Sequence, residues 1–387
     1  MARPASYLTV FALPLAVVFT MLGASYLILH RLGEDISPLL AAEIQQTSDI
    51  SYSSALFYRP RPYKIERARL LKADVLLLGS SRAMQFVGDP WLIPTYNAGG
   101  AMRDLESGEI FLNSVLPIYH PKRMIIALDW WWFSTTRRPD APTDASPETP
   151  LTLHELIQPG IWIFDGTLSA KELSALLFSS KTPRPAIGLP AYFKHAGWNT
   201  FGHYDYGDVL SEQASGSDIG FEETLKDIQR TSKRNDRGPW NDFSEKNWQR
   251  LEAIVKRLQD GGTEVILFLP PIAEPLYDWL ETQPEPNMVK EVRRRLASLP
   301  ALTFDFHDPK TVGTNLCEFV DGMHGGEVTY LRILDTMAAD PSADLEHVLN
   351  RAQIQQLIAA NGGYARLQSD DPTREPEADF NSLGCKK

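Results

Sequence analysis

Asp74-Val75-Leu76-Leu77-Leu78-Gly79-Ser80-Ser81-Arg82 is the stretch whose reading decides the fold. Val75 to Leu78 form a continuous apolar run, the pattern of a strand buried on both faces of a parallel sheet. Gly79 breaks the run, and two hydroxyls follow at the strand's carboxyl end. In open α/β sheets that end is where ligands and catalytic groups collect. A serine there is a candidate nucleophile, but its hydroxyl needs a base to take the proton. Far downstream, Asp321-Gly322-Met323-His324 offers one. The spacing lets the Asp321 carboxylate reach the His324 imidazole from a loop or first helical turn. Together these residues suggest a Ser-His-Asp site for hydrolysis or acyl transfer. Each part alone has a plainer explanation, since a serine after a strand is often only a helix N-cap. The ordered set argues for a site: serine after the first strand, histidine after the last.

Outward from this stretch the chain alternates strand and helix. Strands are expected at Asp74–Leu78, Pro94–Asn97, Arg123–Leu128, Glu264–Leu269 and Leu302–Phe306. Helices are expected at Arg103–Val115, Phe243–Gln259, Val289–Leu299 and Glu327–Ala338. Such alternation implies parallel βαβ units. The expected fold is therefore a three-layer α/β domain with a parallel, flavodoxin-like sheet, spanning 71–345. From about 130 to 242 the pattern is lost, and the segment reads as a large insertion at the sheet's carboxyl edge. It opens on Trp130-Trp131-Trp132-Phe133, holds a Pro-rich stretch at 139–150 and a mixed-charge cluster at 230–237. The Trp-rich opening could stack on sugar rings or belong to the core. Residues 346–387 read as a C-terminal helix followed, from about Ser369, by a disordered polar tail.

From Pro4 to Leu29 the chain has no Asp, Glu, Lys or Arg. That length suffices to cross a hydrocarbon core of roughly 30 Å as a helix. A cleaved signal would have a shorter apolar region, of about 7–15 residues. Residues 1–32 are therefore expected to be an uncleaved transmembrane anchor, and 33–70 a connecting segment. Arg3 before the span favours that end inside, which leaves the domain in the periplasm or outside the cell. The formal net charge of −11 argues against a nucleic-acid binder. Two cysteines are too few for a disulfide framework. No CxxC pair or HExxH motif signals a metal, and the expected chemistry needs no cofactor.

At these motifs the sequence resembles the SGNH (GDSL-like) hydrolase superfamily. Gly79-Ser80-Ser81 stands where that family has Gly-Asp-Ser, so the resemblance implies Ser81 as nucleophile, with Ser80 replacing the Asp. Asn97-Ala98-Gly99-Gly100 resembles the second block, which implies that the Gly99 N–H joins the Ser81 N–H in an oxyanion hole. Asp321 and His324 match the fifth block without a gap. The third block departs: Asp129 falls where the family has an oxyanion-donating Asn. A carboxylate there would repel an oxyanion, so either Asp129 turns away and orders the site or the two backbone N–H groups act alone. Arg82 is open to two readings, a contact for an anionic substrate group or a salt bridge.

A membrane-anchored member with Gly-Ser-Ser is similar to D-alanyl transfer proteins and to exopolysaccharide O-acetylation proteins. That similarity implies acyl transfer or ester hydrolysis on a cell-surface polysaccharide or glycopolymer, beside a membrane-bound O-acyltransferase. The alternative is a catalytically silent binding or assembly subunit on the same fold.

Overall fold

The computed structural model describes residues 4–56, 60–136, 151–178, 186–211, 218–230, 243–369 and 374–387, the side chains of 4–11 excepted. It is a mixed α/β chain with a parallel sheet and one N-terminal apolar helix. The sheet strands are β1 (Val75–Gly79), β2 (Thr95–Gly99), β3 (Arg123–Ala127), β4 (Glu264–Leu269) and β5 (Leu302–Asp305). The principal helices, in chain order, are α1 (Pro4–Leu32), α2 (Leu105–Val115), α3 (Leu153–Asp165), α4 (Ala170–Phe178), α5 (Glu245–Asp260), α6 (Glu327–Ala339) and α7 (Arg351–Asn361). Contacts divide the chain into two compact units: Met1–Tyr58 with Ala145–Gly197, and Arg59–Asp144 with Trp198–Lys387.

The second unit holds the sheet, in the order β2-β1-β3-β4-β5 with every pairing parallel. Strand order reverses between β1 and β3, where open sheets form their ligand crevice. Register brings the strand tips level: Gly79 pairs with Gly99, and Leu78 with Ile126. Side chains alternate across the sheet. Leu76, Leu78, Met124, Ile126 and Leu267 pack with Phe111 and Leu112 of α2 and Leu251 and Val255 of α5. Val75, Leu77, Ile125, Ile266 and Phe268 pack with Leu331 and Leu334 of α6 and Ile354 of α7. Burial of both sets explains why the strands read as unbroken apolar runs.

In the first unit, the end of α1 is fastened down. Ile28, Leu29 and Leu32 pack with Trp162 of α3, Leu168 and Leu176 of α4. Arg31 donates to the carbonyls of Leu176 and Leu177 (2.9 and 3.3 Å), at the C-terminal end of α4 where a cation is favoured. Glu34 is fully buried, and its carboxylate accepts from Ser54 Oγ and from the N–H groups of Ala55, Leu56 and Leu189. Four donors satisfy the charge that burial would otherwise penalise.

One expectation is corrected and one open reading is decided. The segment read as patternless contains α3 and α4. Thr152 and Glu155 form a capping box at the start of α3, a spacing visible in sequence but masked by the surrounding prolines. All four residues of Trp130–Phe133 are buried, so none is free to stack on a sugar. The Pro-rich 139–150 stretch and most of the 230–237 cluster lie outside the described residues.

The tail also differs from expectation. Within 374–387, Glu377, Phe380 and Asn381 are buried. Glu377 accepts from the N–H groups of Ala365 and Arg366, and pairs with Lys387. Asn381 donates its amide to Val320 O (3.0 Å). Cys317 and Cys385 form a disulfide across a separation of 68 residues. The two cysteines are thus paired, and the tail braces the segment that leads to Asp321.

A crosslink closing a loop of this size limits the unfolded chain. Replacing Cys317 and Cys385 by serine is expected to cost about 2–4 kcal/mol and to lower the thermal midpoint. A wild-type midpoint that reductant leaves unchanged would contradict the pairing.

Candidate active site

The tip of β1 separates the two serines. Gly79 sits at φ +158°, and a Cβ there would lie 2.9 Å from Ala83 Cβ and 3.0 Å from Ala127 Cβ. Only glycine allows the chain to turn so tightly. Ser80 then caps the short 3-10 turn Ser81–Ala83, accepting from the Arg82 N–H at 3.2 Å, and is buried. Ser81 remains partly exposed, its Oγ 2.8 Å from His324 Nε2. The plain capping explanation therefore belongs to Ser80, and Ser81 is left as the hydroxyl paired with a histidine.

His324 is held from its other side. Its Nδ1 lies 2.8 Å from both carboxylate oxygens of Asp321. Asp321 Oδ1 also accepts from the N–H groups of Met323 and His324, both at 2.8 Å. With Nδ1–H donating to Asp321, Nε2 is left to accept the Ser81 proton. Burial alone would raise the Asp321 carboxyl, but the His324 ring and the two N–H donors hold it below its ordinary value. A carboxylate kept ionised is what an imidazolium partner requires.

Arg82 does not face a substrate. It is 1% exposed and spends its guanidinium inside the protein. Nε donates to Met323 O (3.1 Å), Nη1 to Asp129 Oδ1 (3.1 Å), and Nη2 to the carbonyls of Pro270 and Pro271 (2.7 and 3.0 Å). Its Cζ also lies 5.4 and 5.6 Å from the ring centroids of Trp130 and Trp131. One side chain therefore joins the ends of β1, β3 and β4 to the loop carrying His324. Of its two open readings, the salt bridge is the one formed. Asp129 is fully buried as its counter-ion, with Oδ1 on the Arg82 guanidinium. Burial pushes the Asp129 carboxyl up, opposed by Arg82 and the Ser80 hydroxyl.

Gly99 requires a correction. Its N–H donates to Asn97 Oδ1 at 2.7 Å, so the expected oxyanion donor is already engaged. Asn97 is itself buried and donates through Nδ2 to the carbonyls of Ala83, Met84 and Phe86. It locks the turn after Ser81 to β2. Glycine is required at 99 by close approach, since a Cβ would meet the Ala83 carbonyl carbon at 2.7 Å. The Gly100 N–H is likewise taken, by Gly79 O and Ser80 O. The Ser81 N–H enters no hydrogen bond among the described residues and stays available.

Two supporting residues escaped the sequence reading. Asp218 accepts from the Gly322 N–H (2.9 Å) and from the N–H groups of Glu223 and Thr224, fixing the turn between Asp321 and His324. His307 packs edge-on against Trp130, 4.8 Å between ring centroids, and burial holds it well below its ordinary pKa, hence neutral beside Arg82. Neither lies in a motif, and only the fold brings them in. Among the described residues no group of three His, Cys, Asp or Glu is arranged to hold a metal ion.

Removing one member of a buried ion pair strands the other charge, typically at about 3–5 kcal/mol. Arg82→Met and Asp129→Leu are each expected to destabilise the domain on that scale. The double variant should lose clearly less than the sum, yet its Ser81 should still react slowly because the His324 loop is untethered. Strictly additive denaturation free energies, or full Ser81 reactivity in the double variant, would contradict this role.

No protein-family model matches the chain, and no curated protein matches it.

Proposed function

We propose that this chain is a membrane-anchored, extracytoplasmic serine acyltransferase or esterase that works through a Ser81 acyl-enzyme. One observation carries the reading: the unbroken hydrogen-bonded chain from Ser81 through His324 to Asp321 at the carboxyl end of a parallel sheet. Ser81 Oγ adds to an ester carbonyl while its proton passes to His324 Nε2. Collapse of the tetrahedral intermediate breaks the bond to the leaving alcohol, which takes the proton from His324. Water or an acceptor hydroxyl then gives its proton to His324 and attacks the Ser81 ester. A second collapse frees Ser81, which regains the proton. Asp321 holds the imidazole tautomer and stabilises each imidazolium.

Membership of the SGNH superfamily, with the sheet as the middle of three layers, is part of this reading. The ordered motifs at Ser81, Asn97–Gly99 and Asp321–His324 support it, as do the apolar side chains on both sheet faces. The long apolar helix α1 supports a single-pass anchor. The Cys317–Cys385 disulfide supports an oxidising compartment, where such bonds persist. Similarity to D-alanyl transfer and exopolysaccharide O-acetylation proteins supports a cell-surface polysaccharide or glycopolymer as the acylated partner, beside a membrane-bound O-acyltransferase.

A second reading, a silent binding or assembly subunit, is favoured by the engaged Gly99 N–H and by Asp129 in place of an amide donor. Oxyanion stabilisation is usually a large part of acyl-transfer catalysis, and here the Ser81 N–H is the one open donor identified.

A fluorophosphonate serine probe separates the two. The wild type is expected to label, and Ser81→Ala to abolish labelling. His324→Gln and Asp321→Asn should each slow it by about 10³–10⁴-fold. Ser80→Ala should still label, since it loses a cap worth about 1 kcal/mol and a polar contact with Asp129, while the Ser81–His324–Asp321 hydrogen bonds remain. An inert wild type would favour the silent subunit, and undiminished labelling of Ser81→Ala would remove Ser81 as the nucleophile.

A further inference from the structure

α3 is a helix with three distinct sides. At 100° per residue, Leu153, Phe164, Ile157 and Ile161 fall within an arc of about 80°. All four are exposed, Phe164 to 93%. Trp162 points the opposite way and is buried against Ile28, Leu29 and Leu32 of α1. His154, Gln158 and Asp165 cluster at one edge of the apolar arc. The neighbouring α4 ends on Phe178, which is 82% exposed. Scattered surface apolar residues are ordinary, but a concentrated apolar arc on one helix calls for a covering.

The position of α3 along α1 indicates what covers it. The apolar stretch Ala12–Leu32 has 21 residues, a helical length of about 31 Å. That matches a hydrocarbon core of roughly 30 Å, so Ile28 to Leu32 fall at its boundary. α3 and α4 are fastened to that same last turn, by the Trp162 and Leu176 packing and by Arg31 on the α4 carbonyls. The exposed arc of α3 is thus carried by a helix held at the end of α1, whose own exposed apolar surface includes Phe19, Met21 and Leu27.

From this placement we infer that α3, with the Phe178 end of α4, is a second membrane contact that lies in the interface plane. Its apolar arc enters the acyl-chain boundary beside α1, and His154, Gln158 and Asp165 face the headgroups. This is the arrangement of an interfacial amphipathic helix. α3 contains no Lys or Arg and carries Glu155 and Asp165. Its insertion is therefore driven by apolar area, needs no anionic lipid, and is insensitive to salt. The inference rests on α1 lying in a bilayer.

The test uses the full chain in phosphatidylcholine nanodiscs. Single cysteines replace Ile157, Phe164, Asp165 or, as a reference within α1, Phe19, and each carries a nitroxide. Collision with oxygen reports acyl-chain contact, and collision with a water-soluble nickel chelate reports water. Labels at 157 and 164 should resemble the one at 19, rich in oxygen and poor in nickel collisions. The label at 165 should favour nickel. Nickel access at 157 and 164 equal to that at 165, with 19 still protected, would overturn the inference and leave the anchor intact. Nickel access at 19 as well would overturn both. Protection from both reagents at 157 and 164 would mean that protein covers the arc, and would also overturn it.

Discussion

The site depends on the buried guanidinium of Arg82. A parallel sheet brings strand tips level but does not fix the loops that leave them. Here the loops after β3 and β4, and the turn before His324, all converge on the donors of one side chain. The planar fork of arginine is suited to this, since it offers five N–H donors in fixed directions. Without it, Asp129 would be a buried, unpaired carboxylate and Met323 O would lose the donor that holds the His324 turn close to Ser81. A buried ion pair adds little net stability compared with apolar packing. Its contribution here is geometric: it selects one arrangement of three loops around a single serine.

That geometry accounts for a carboxylate at position 129. An amide there could donate to an oxyanion, but it could not neutralise a fully buried guanidinium. The exchange ties substrate chemistry to internal order, and Asn97 makes the same compromise by accepting the Gly99 N–H. One group that the resemblance assigns to charge stabilisation, the Gly99 N–H, is thus engaged in holding the Ser81 turn. Rotation of Asn97 would release the Gly99 N–H, but its amide is held by three carbonyls, so that release has a cost in hydrogen bonds.

The strands were legible because burial on both faces leaves an uninterrupted apolar signature, as in Val75–Leu78 and Val265–Leu269. The pairing of Ser81 with His324 and Asp321 was legible because the serine stands at a strand tip and the Asp-x-x-His spacing keeps the other two side chains together. Arg82 was not, because sequence does not reveal that a charged side chain after a strand will be buried. The partner of the Gly99 N–H was equally hidden, being a side chain two residues away whose rotamer the fold decides. Cys317 and Cys385 lie 68 residues apart, and nothing local links them. The tail's polar composition read as disorder, although Glu377, Phe380, Asn381 and Cys385 fix residues 374–387 to the domain. α3 was obscured by its own surface: a helix with an exposed apolar arc and an internal proline lacks the usual alternation of core and solvent faces.

The claim most directly at stake is that Ser81 is acylated inside this tethered loop cluster. A crystal structure of the chain after reaction with a fluorophosphonate tests it. The expected result is phosphorus bonded to Ser81 Oγ, its free oxygen within hydrogen-bond reach of the Ser81 N–H, and the Arg82–Asp129 pair intact. An adduct on Ser80 or elsewhere, or a Ser81 adduct with Arg82 swung out to meet it, would contradict it.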